Sequence, residues 1–141
     1  MIISGCSEIG DTIPISAYRS IMKILVIEDN ENFALMLCAA LREAGYEADS
    51  ALSGRAGVKM ALAWLPDLIM LDYNLGDMTG YDVALAVKCM RATAGMPFIL
   101  LSSLADDQLL LNAFKKMPNC RTALLKTRPM EEIMHEVNSA R

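Results

Sequence analysis

Strand and helix patterns alternate along this chain from Lys23 onward, and the alternation constrains the fold more than any other feature. Short aliphatic runs of strand length are separated by longer stretches in which apolar residues recur at helical spacing. The predicted strands are 23–27, 46–51, 67–71, 97–101 and 122–125. Such alternation favours a parallel sheet with helices on both faces and right-handed crossovers between the strands. The sequence therefore predicts an α/β fold built on a doubly wound, five-stranded parallel sheet.

Five helices are predicted from capping residues and from the spacing of apolar positions. The first ends before Gly45 and the second is stopped by Pro66, because glycine favours helix ends and proline cannot continue a helix. The last helix begins with Pro129 in its first turn. The first four span 30–44, 53–65, 81–91 and 105–117, and in the fourth we expect Leu110, Ala113, Phe114 and Met117 to face inward.

Length and composition indicate a globular domain. A chain of 141 residues fits one domain, and a hydrophobic content of 54% argues against disorder. No apolar run reaches the ~18 residues of a membrane span, so we expect no membrane partner. A net charge of −4 argues against a nucleic-acid partner. The four cysteines are scattered, which indicates free thiols in a reducing cytoplasm.

The first 21 residues differ from the rest of the chain. They mix glycine, serine, proline and threonine with short apolar pieces and lack the pattern of a signal peptide. We therefore expect residues 1–21 to be a weakly packed N-terminal extension and residues 22–141 to form the domain.

Polar residues follow four of the five predicted strands. Glu28 and Asp29 follow the first, Asp72 follows the third, Ser102 the fourth and Lys126 the fifth. The carboxyl ends of parallel strands meet at one edge of the sheet, where open α/β folds place their functional sites. Three clustered carboxylates repel one another, and a hard cation with oxygen ligands relieves that repulsion. The sequence therefore predicts a Mg²⁺ site at this edge.

These residues suit the transfer of a phosphoryl group to a carboxylate. Asp72 would be the nucleophile, the cation would neutralise phosphoryl oxygens, and Lys126 and Ser102 would bind two further oxygens. A carboxylate with a pKa of about 3.9 needs no general base at neutral pH. Taken singly, each residue has a simpler explanation, such as a helix cap for Asp29 or a turn for Asp72. Their occurrence at the ends of different strands favours the functional interpretation.

Four motifs in order resemble the receiver domain of two-component response regulators over residues 22–140. They are KILVIEDN at 23–30, PDLIMLDYNL with the following turn at 66–80, PFILLSS at 97–103, and LLK at 124–126 leading to Glu132 and Ile133. The resemblance implies strand order 2-1-3-4-5. It also implies phosphorylation of Asp72 by a histidine kinase or a histidine phosphotransfer protein. The signal would then pass to an unknown downstream protein. The chain could also form a homodimer.

The resemblance also assigns roles at the site. Asp29 and Asp72 would bind Mg²⁺ directly, Glu28 through water, and Asn74 through its backbone carbonyl. Ser102 would be the switch hydroxyl and Lys126 the phosphate-binding lysine. The chain departs from the family pattern at three places: Thr127 replaces the usual proline after the lysine, Ala123 replaces an aromatic residue, and Glu28 replaces the commoner aspartate.

Two alternatives stay open at this point. One is a receiver-like module that binds partners without being phosphorylated. The other is a small aspartyl-phosphate hydrolase, although Asn74 occupies the place where those enzymes carry a second aspartate. We expect a partner surface that includes Leu109, Leu111, the last strand and the last helix, and we expect Leu104 to shield a phosphorylated Asp72 from water.

Overall fold

Five strands and five helices alternate in the computed structural model, which describes residues 21–103 and 108–140. The strands are β1 (Lys23–Ile27), β2 (Glu47–Ala51), β3 (Leu68–Asp72), β4 (Phe98–Ser102) and β5 (Cys120–Leu125). The helices are α1 (Glu31–Glu43), α2 (Gly54–Trp64), α3 (Gly80–Cys89), α4 (Gln108–Lys115) and α5 (Met130–Ser139).

All strand pairs are parallel, and the sheet order is β2-β1-β3-β4-β5. This confirms the predicted doubly wound fold and its strand order 2-1-3-4-5. In the register, Ile27 lies opposite Leu71, and Ser102 lies opposite Leu125. The residues that follow β1, β3, β4 and β5 therefore reach the same edge of the sheet.

The sheet carries one apolar cluster on each face. Ile24 and Val26 of β1 point to the face covered by α1 and α5, where Leu37 and Val137 are buried. Leu25 and Ile27 point to the opposite face, which is covered by α2, α3 and α4. The central strands β3 and β4 are buried along their whole length, as expected for a parallel sheet with both faces covered. These buried central strands place the site at their carboxyl ends.

Side-chain caps fix three helix starts. Asn30 accepts a hydrogen bond from Phe33 N at the start of α1, and Ser53 accepts one from Ala56 N at the start of α2. Thr79 and Asp82 form a reciprocal capping box at the start of α3. The predicted helix boundaries at Asn30 and Ser53 are thus correct to within a residue.

The end of the chain departs from the prediction in detail. Strand β5 begins at Cys120, two residues earlier than predicted, because Cys120 pairs with Phe98. Helix α4 is described from Gln108, while the expected start at 105–107 lies outside the described residues. Ala113 is exposed rather than inward, and Leu111 packs partly against the core rather than outward. Both errors concern the rotation of one helix about its axis.

Several expectations concern the rest of the chain. The predicted N-terminal extension lies almost entirely outside the described residues, as does Cys6. Cys38, Cys89 and Cys120 are free thiols. Among the described residues, none of the helices combines the length and the apolar character needed to cross a membrane.

Candidate functional site

The predicted carboxylates meet at the carboxyl edge of the sheet. Glu28 and Asp29 follow β1, and Asp72 is the last residue of β3. One carboxylate oxygen from each of the three lies within 4.8 Å of the others. Glu28 and Asp72 are buried, whereas Asp29 is exposed. The acidic cluster therefore opens to solvent on the side of Asp29.

Lys126 joins this cluster from the end of β5. Its ammonium nitrogen Nζ lies 2.6 Å from Glu28 Oε1 and 3.6 Å from Asp72 Oδ2. The backbone N–H of Lys126 donates to the carbonyl of Ser102 at 3.0 Å, so the ladder between β4 and β5 extends to this residue. One ammonium group thus pairs with two of the three carboxylates, which leaves the cluster with excess negative charge.

The electrostatic consequence appears at Asp72. Burial, and next the Glu28 carboxylate, raise the pKa of Asp72 from 3.8 to about 7, although the nearby Lys126 ammonium acts in the opposite direction. The Asp29 carboxylate also raises the pKa of Asp72, by a smaller amount. A further positive charge at the cluster would therefore favour the ionised, nucleophilic form of Asp72.

The oxygen atoms of the site fit a hard divalent cation. Glu28 Oε2 accepts a hydrogen bond from Asn30 N. Glu28 Oε1 is buried and accepts no hydrogen bond of good geometry from the described residues, although the Lys126 ammonium lies beside it. Asn74 lies opposite Thr79 in an isolated antiparallel bridge, whose backbone bonds join Tyr73 to Gly80 and Leu75 to Met78. No backbone N–H of the described residues donates to the Asn74 carbonyl outside the helices and strands. An all-oxygen donor set of this kind suits Mg²⁺.

Ser102 ends β4 at the same edge and is buried. Its position is the one predicted, next to the strand that carries Lys126. The role of its hydroxyl as a switch stays a prediction. Leu104 lies outside the described residues, so its expected shielding role also stays a prediction.

The loop between β3 and α3 is held by two sets of contacts that the sequence did not predict. The Asp77 carboxylate accepts hydrogen bonds from Gly54 N and Arg55 N at the start of α2, and these bonds lower the pKa of Asp77. Gly80 N donates to Tyr73 O, and a Cβ on Gly80 would lie 2.5 Å from the carbonyl oxygen of Asp72. The first turn of α3 is therefore in direct contact with the backbone of Asp72.

Aromatic residues surround the site on both faces of the sheet. The Phe33 ring lies under Lys126, with Nζ 4.7 Å from the ring centroid. On the other face Tyr73, which follows Asp72, packs edge-on against Phe114 of α4 at 6.0 Å between centroids. The sequence did not predict Phe33 at the site, although its place in the first turn of α1 puts it near the strand ends.

Known proteins with similar sequences belong to one family. Residues 24–138 match the family described as response regulator receiver domain. The transcriptional regulatory protein CusR of Escherichia coli K12 is 39% identical over 84 residues, which are 59% of this chain and 36% of CusR. The chain thus spans little more than a third of that curated relative.

Solved structures show the same fold. The chemotaxis response regulator CheY4 of Vibrio cholerae superposes with a TM-score of 0.79 at 23% identity, covering 86% of this chain and all (100%) of that chain. The response regulator TrrA of Thermotoga maritima, solved in complex with Mg²⁺ and BeF, has a TM-score of 0.74 at 24% identity, covering 86% of this chain and 100% of that chain.

Proposed function

The chain belongs to the response regulator receiver domain family, and from this premise we propose that it accepts a phosphoryl group on Asp72. The donor would be a phosphohistidine on a histidine kinase or on a histidine phosphotransfer protein. A bond forms between an Asp72 carboxylate oxygen and phosphorus while the bond from phosphorus to the imidazole nitrogen breaks. The electron pair of the broken bond stays on the imidazole.

One observation carries this proposal: a buried carboxylate at a strand end has an ammonium group 3.6 Å away and two further carboxylates within 4.8 Å. A structural ion pair would need only one acid for one lysine. The surplus acids at Glu28 and Asp29 supply the negative charge that a divalent cation requires. The Lys126 ammonium and a bound divalent cation would together supply two positive centres. The oxygens of a transferring phosphoryl group carry negative charge and are stabilised by such centres.

The cation we propose is Mg²⁺. Asp29, Asp72 and the backbone carbonyl of Asn74 would hold it directly, and Glu28 would act through water. When bound, the cation offsets the charge of the carboxylates and of the incoming phosphoryl oxygens. TrrA, a protein with the same fold, was solved in complex with Mg²⁺ and BeF, which supports a Mg²⁺ site here.

Lys126 and Ser102 would bind the transferred group. Lys126 is paired with Glu28 across 2.6 Å, and we propose that its ammonium turns to a phosphoryl oxygen after transfer. The Phe33 ring beneath Nζ limits the directions that this ammonium can take. Ser102 would donate its hydroxyl to another oxygen and so report phosphorylation to the loop that follows β4.

The cellular setting is also part of the proposal. We propose a cytoplasmic protein whose domain comprises residues 22–141, with residues 1–21 as an extension, and whose output is contact with another protein. The absence of a nucleic-acid partner stays a prediction, because CusR is named a transcriptional regulator and the match covers only part of its length.

The test is labelling of the full chain by acetyl phosphate in the presence of Mg²⁺. We expect wild type and Asp49→Asn to take up one acid-labile phosphoryl group, because Asp49 is an exposed aspartate away from the site. Asp72→Asn should take up none, since an amide is a poor nucleophile. Equal labelling of Asp72→Asn and wild type would contradict the proposal.

The same assay separates the two alternatives. A partner-binding module without phosphorylation would show no labelling of any variant, even at high donor concentration. A hydrolase would release inorganic phosphate from acetyl phosphate continuously, with many turnovers and little labelled protein. The receiver we propose should instead show labelling that reaches a steady level and decays after the donor is removed.

A further inference from the structure

A groove of about 450 Å³ runs between α3 and α4, on the face of the sheet opposite α1. Its apolar walls include Tyr81 and Leu85 of α3 and Leu109 of α4. These three side chains are 36%, 39% and 83% exposed. Contiguous exposed apolar surface of this kind marks a site of interaction more often than scattered single residues do.

The charges at this groove oppose the charge of the whole molecule. The described residues that line the groove include two charged side chains, Lys88 and Lys116, and both are positive and exposed. Neither forms an ion pair with any residue in the described part of the chain. The chain as a whole carries a formal charge of −4. The groove is therefore a local positive site on an acidic protein, and it selects for a negative partner.

Asp82 lies next to Tyr81, but its negative charge does not cancel the positive charge of the groove. Its carboxylate accepts a hydrogen bond from Thr79 N in the capping box, and it lies in the first turn of α3. Its charge is thus placed against the positive end of the helix. Lys88 lies in the last turn of the same helix, and its ammonium forms no ion pair with residues 21–103 or 108–140.

We propose that the α3–α4 groove docks an acidic segment of another protein that inserts apolar side chains between Leu85 and Leu109. Carboxylates on the flanks of that segment would meet Lys88 and Lys116, in the manner of an amphipathic helix held in a groove. A second copy of this chain is a poorer occupant. A twofold interface through this surface would bring the lysines of two copies together. The docking does not require that Asp72 be phosphorylated.

A displayed library of random peptides, selected on the full wild-type chain, tests the proposal. We expect the recovered peptides to carry more acidic than basic residues together with at least two apolar residues. Their affinity, measured by fluorescence anisotropy, should fall by about tenfold or more for the double variant Lys88→Glu and Lys116→Glu. Leu109→Ser should weaken binding as well, and its high exposure means that the fold should tolerate it.

Two matched variants serve as controls. Lys59→Glu reverses an exposed lysine on α2, and Leu35→Ser removes an exposed leucine on α1; neither should change the affinity. Failure to recover acidic peptides, or binding that Leu35→Ser abolishes while the groove variants do not, would overturn the proposal. So would a dimer in sedimentation velocity that Leu109→Ser dissociates, or a random DNA oligonucleotide that binds through the two lysines in place of acidic peptides.

Discussion

At Asp72 two requirements oppose each other. The proposed nucleophile must be ionised to accept a phosphoryl group, yet burial and the Glu28 carboxylate raise the pKa of Asp72 to about 7. Lys126 offsets part of this effect at a distance of 3.6 Å. A bound divalent cation would offset the remaining rise in the pKa of Asp72. A role in cation binding therefore explains why three acids surround one lysine. Residue types at strand ends predicted this cluster. The Phe33 ring beneath Lys126 was not predicted, because a contact between a ring and a cation depends on how the helix is oriented.

The raised pKa has a consequence for stability without divalent cations. Between pH 3.8 and about 7 the folded protein holds a proton on Asp72 that the unfolded chain has lost. The free energy of unfolding should therefore fall as pH rises through this interval. Asp72→Asn removes the ionised form, so it should stabilise the protein at pH 8 by about 1 to 3 kcal/mol. Urea unfolding in a chelator should show that this gain shrinks towards pH 4; a gain that grows on acidification would contradict the account.

Cation affinity should depend on the exposed acid as well. Asp29→Asn removes one charged oxygen from the opening of the cluster, and we expect Mg²⁺ affinity to fall by about tenfold or more. Asp49→Asn changes an exposed aspartate outside the cluster and should leave the affinity unchanged. Isothermal titration calorimetry can compare the two variants. Wild-type affinity in Asp29→Asn would show that Asp29 is not a ligand.

At the scale of elements, the start of α3 is the structure most closely tied to Asp72. Its first residue, Gly80, lies against the carbonyl of Asp72 and bonds to Tyr73. Tyr73 and Tyr81 both pack edge-on against Phe114 of α4. These contacts connect β3 to both walls of the α3–α4 groove.

Replacement of glycine tests this close approach. In Gly80→Ala the new Cβ would lie 2.5 Å from the Asp72 carbonyl oxygen, so backbone must shift and we expect a loss of about 1 to 3 kcal/mol in the free energy of unfolding. Labelling of Asp72 should also slow. Gly95→Ala is the matched control, because nothing lies within 4 Å of its added Cβ. Urea unfolding should place this control within about 1 kcal/mol of wild type or above it. Equal stability of both variants would mean that Gly80 has room for a side chain.

At the scale of the whole molecule, the sequence predicted the strands of the sheet better than it predicted contacts between distant residues or which side chains are exposed. Buried parallel strands such as β3 are continuous apolar runs, which sequence analysis detects directly. The hydrogen bond that Gly54 N donates to the Asp77 carboxylate was not predicted, because it joins residues 23 positions apart in the sequence and depends on the packed fold. The exposed position of Ala113 was missed for a similar reason. Its spacing fits the inward face of α4, but the neighbouring helix α3 leaves a groove there.

The division of the chain at Met22 gives a prediction for the whole domain. The carbonyl of Met22 accepts a hydrogen bond from Glu47 N, and its side chain packs partly against the core. A chain that begins at Met22 should therefore unfold at the same temperature as the full chain and should be labelled at Asp72 at the same rate. Differential scanning calorimetry and the acetyl phosphate assay provide the comparison. A large drop in the unfolding temperature would show that residues 1–21 contribute to the fold.

The central claim is that Asp72 itself carries the phosphoryl group. Borohydride reduces an acyl phosphate to an alcohol, so treatment of the labelled protein should convert the phosphorylated aspartate to homoserine. Peptide mass mapping of the full chain would then locate the modified residue. We predict homoserine at position 72 in protein treated with both acetyl phosphate and Mg²⁺, and none when either is omitted. Homoserine at position 29 or at another acid, with Asp72 unmodified, would contradict the account.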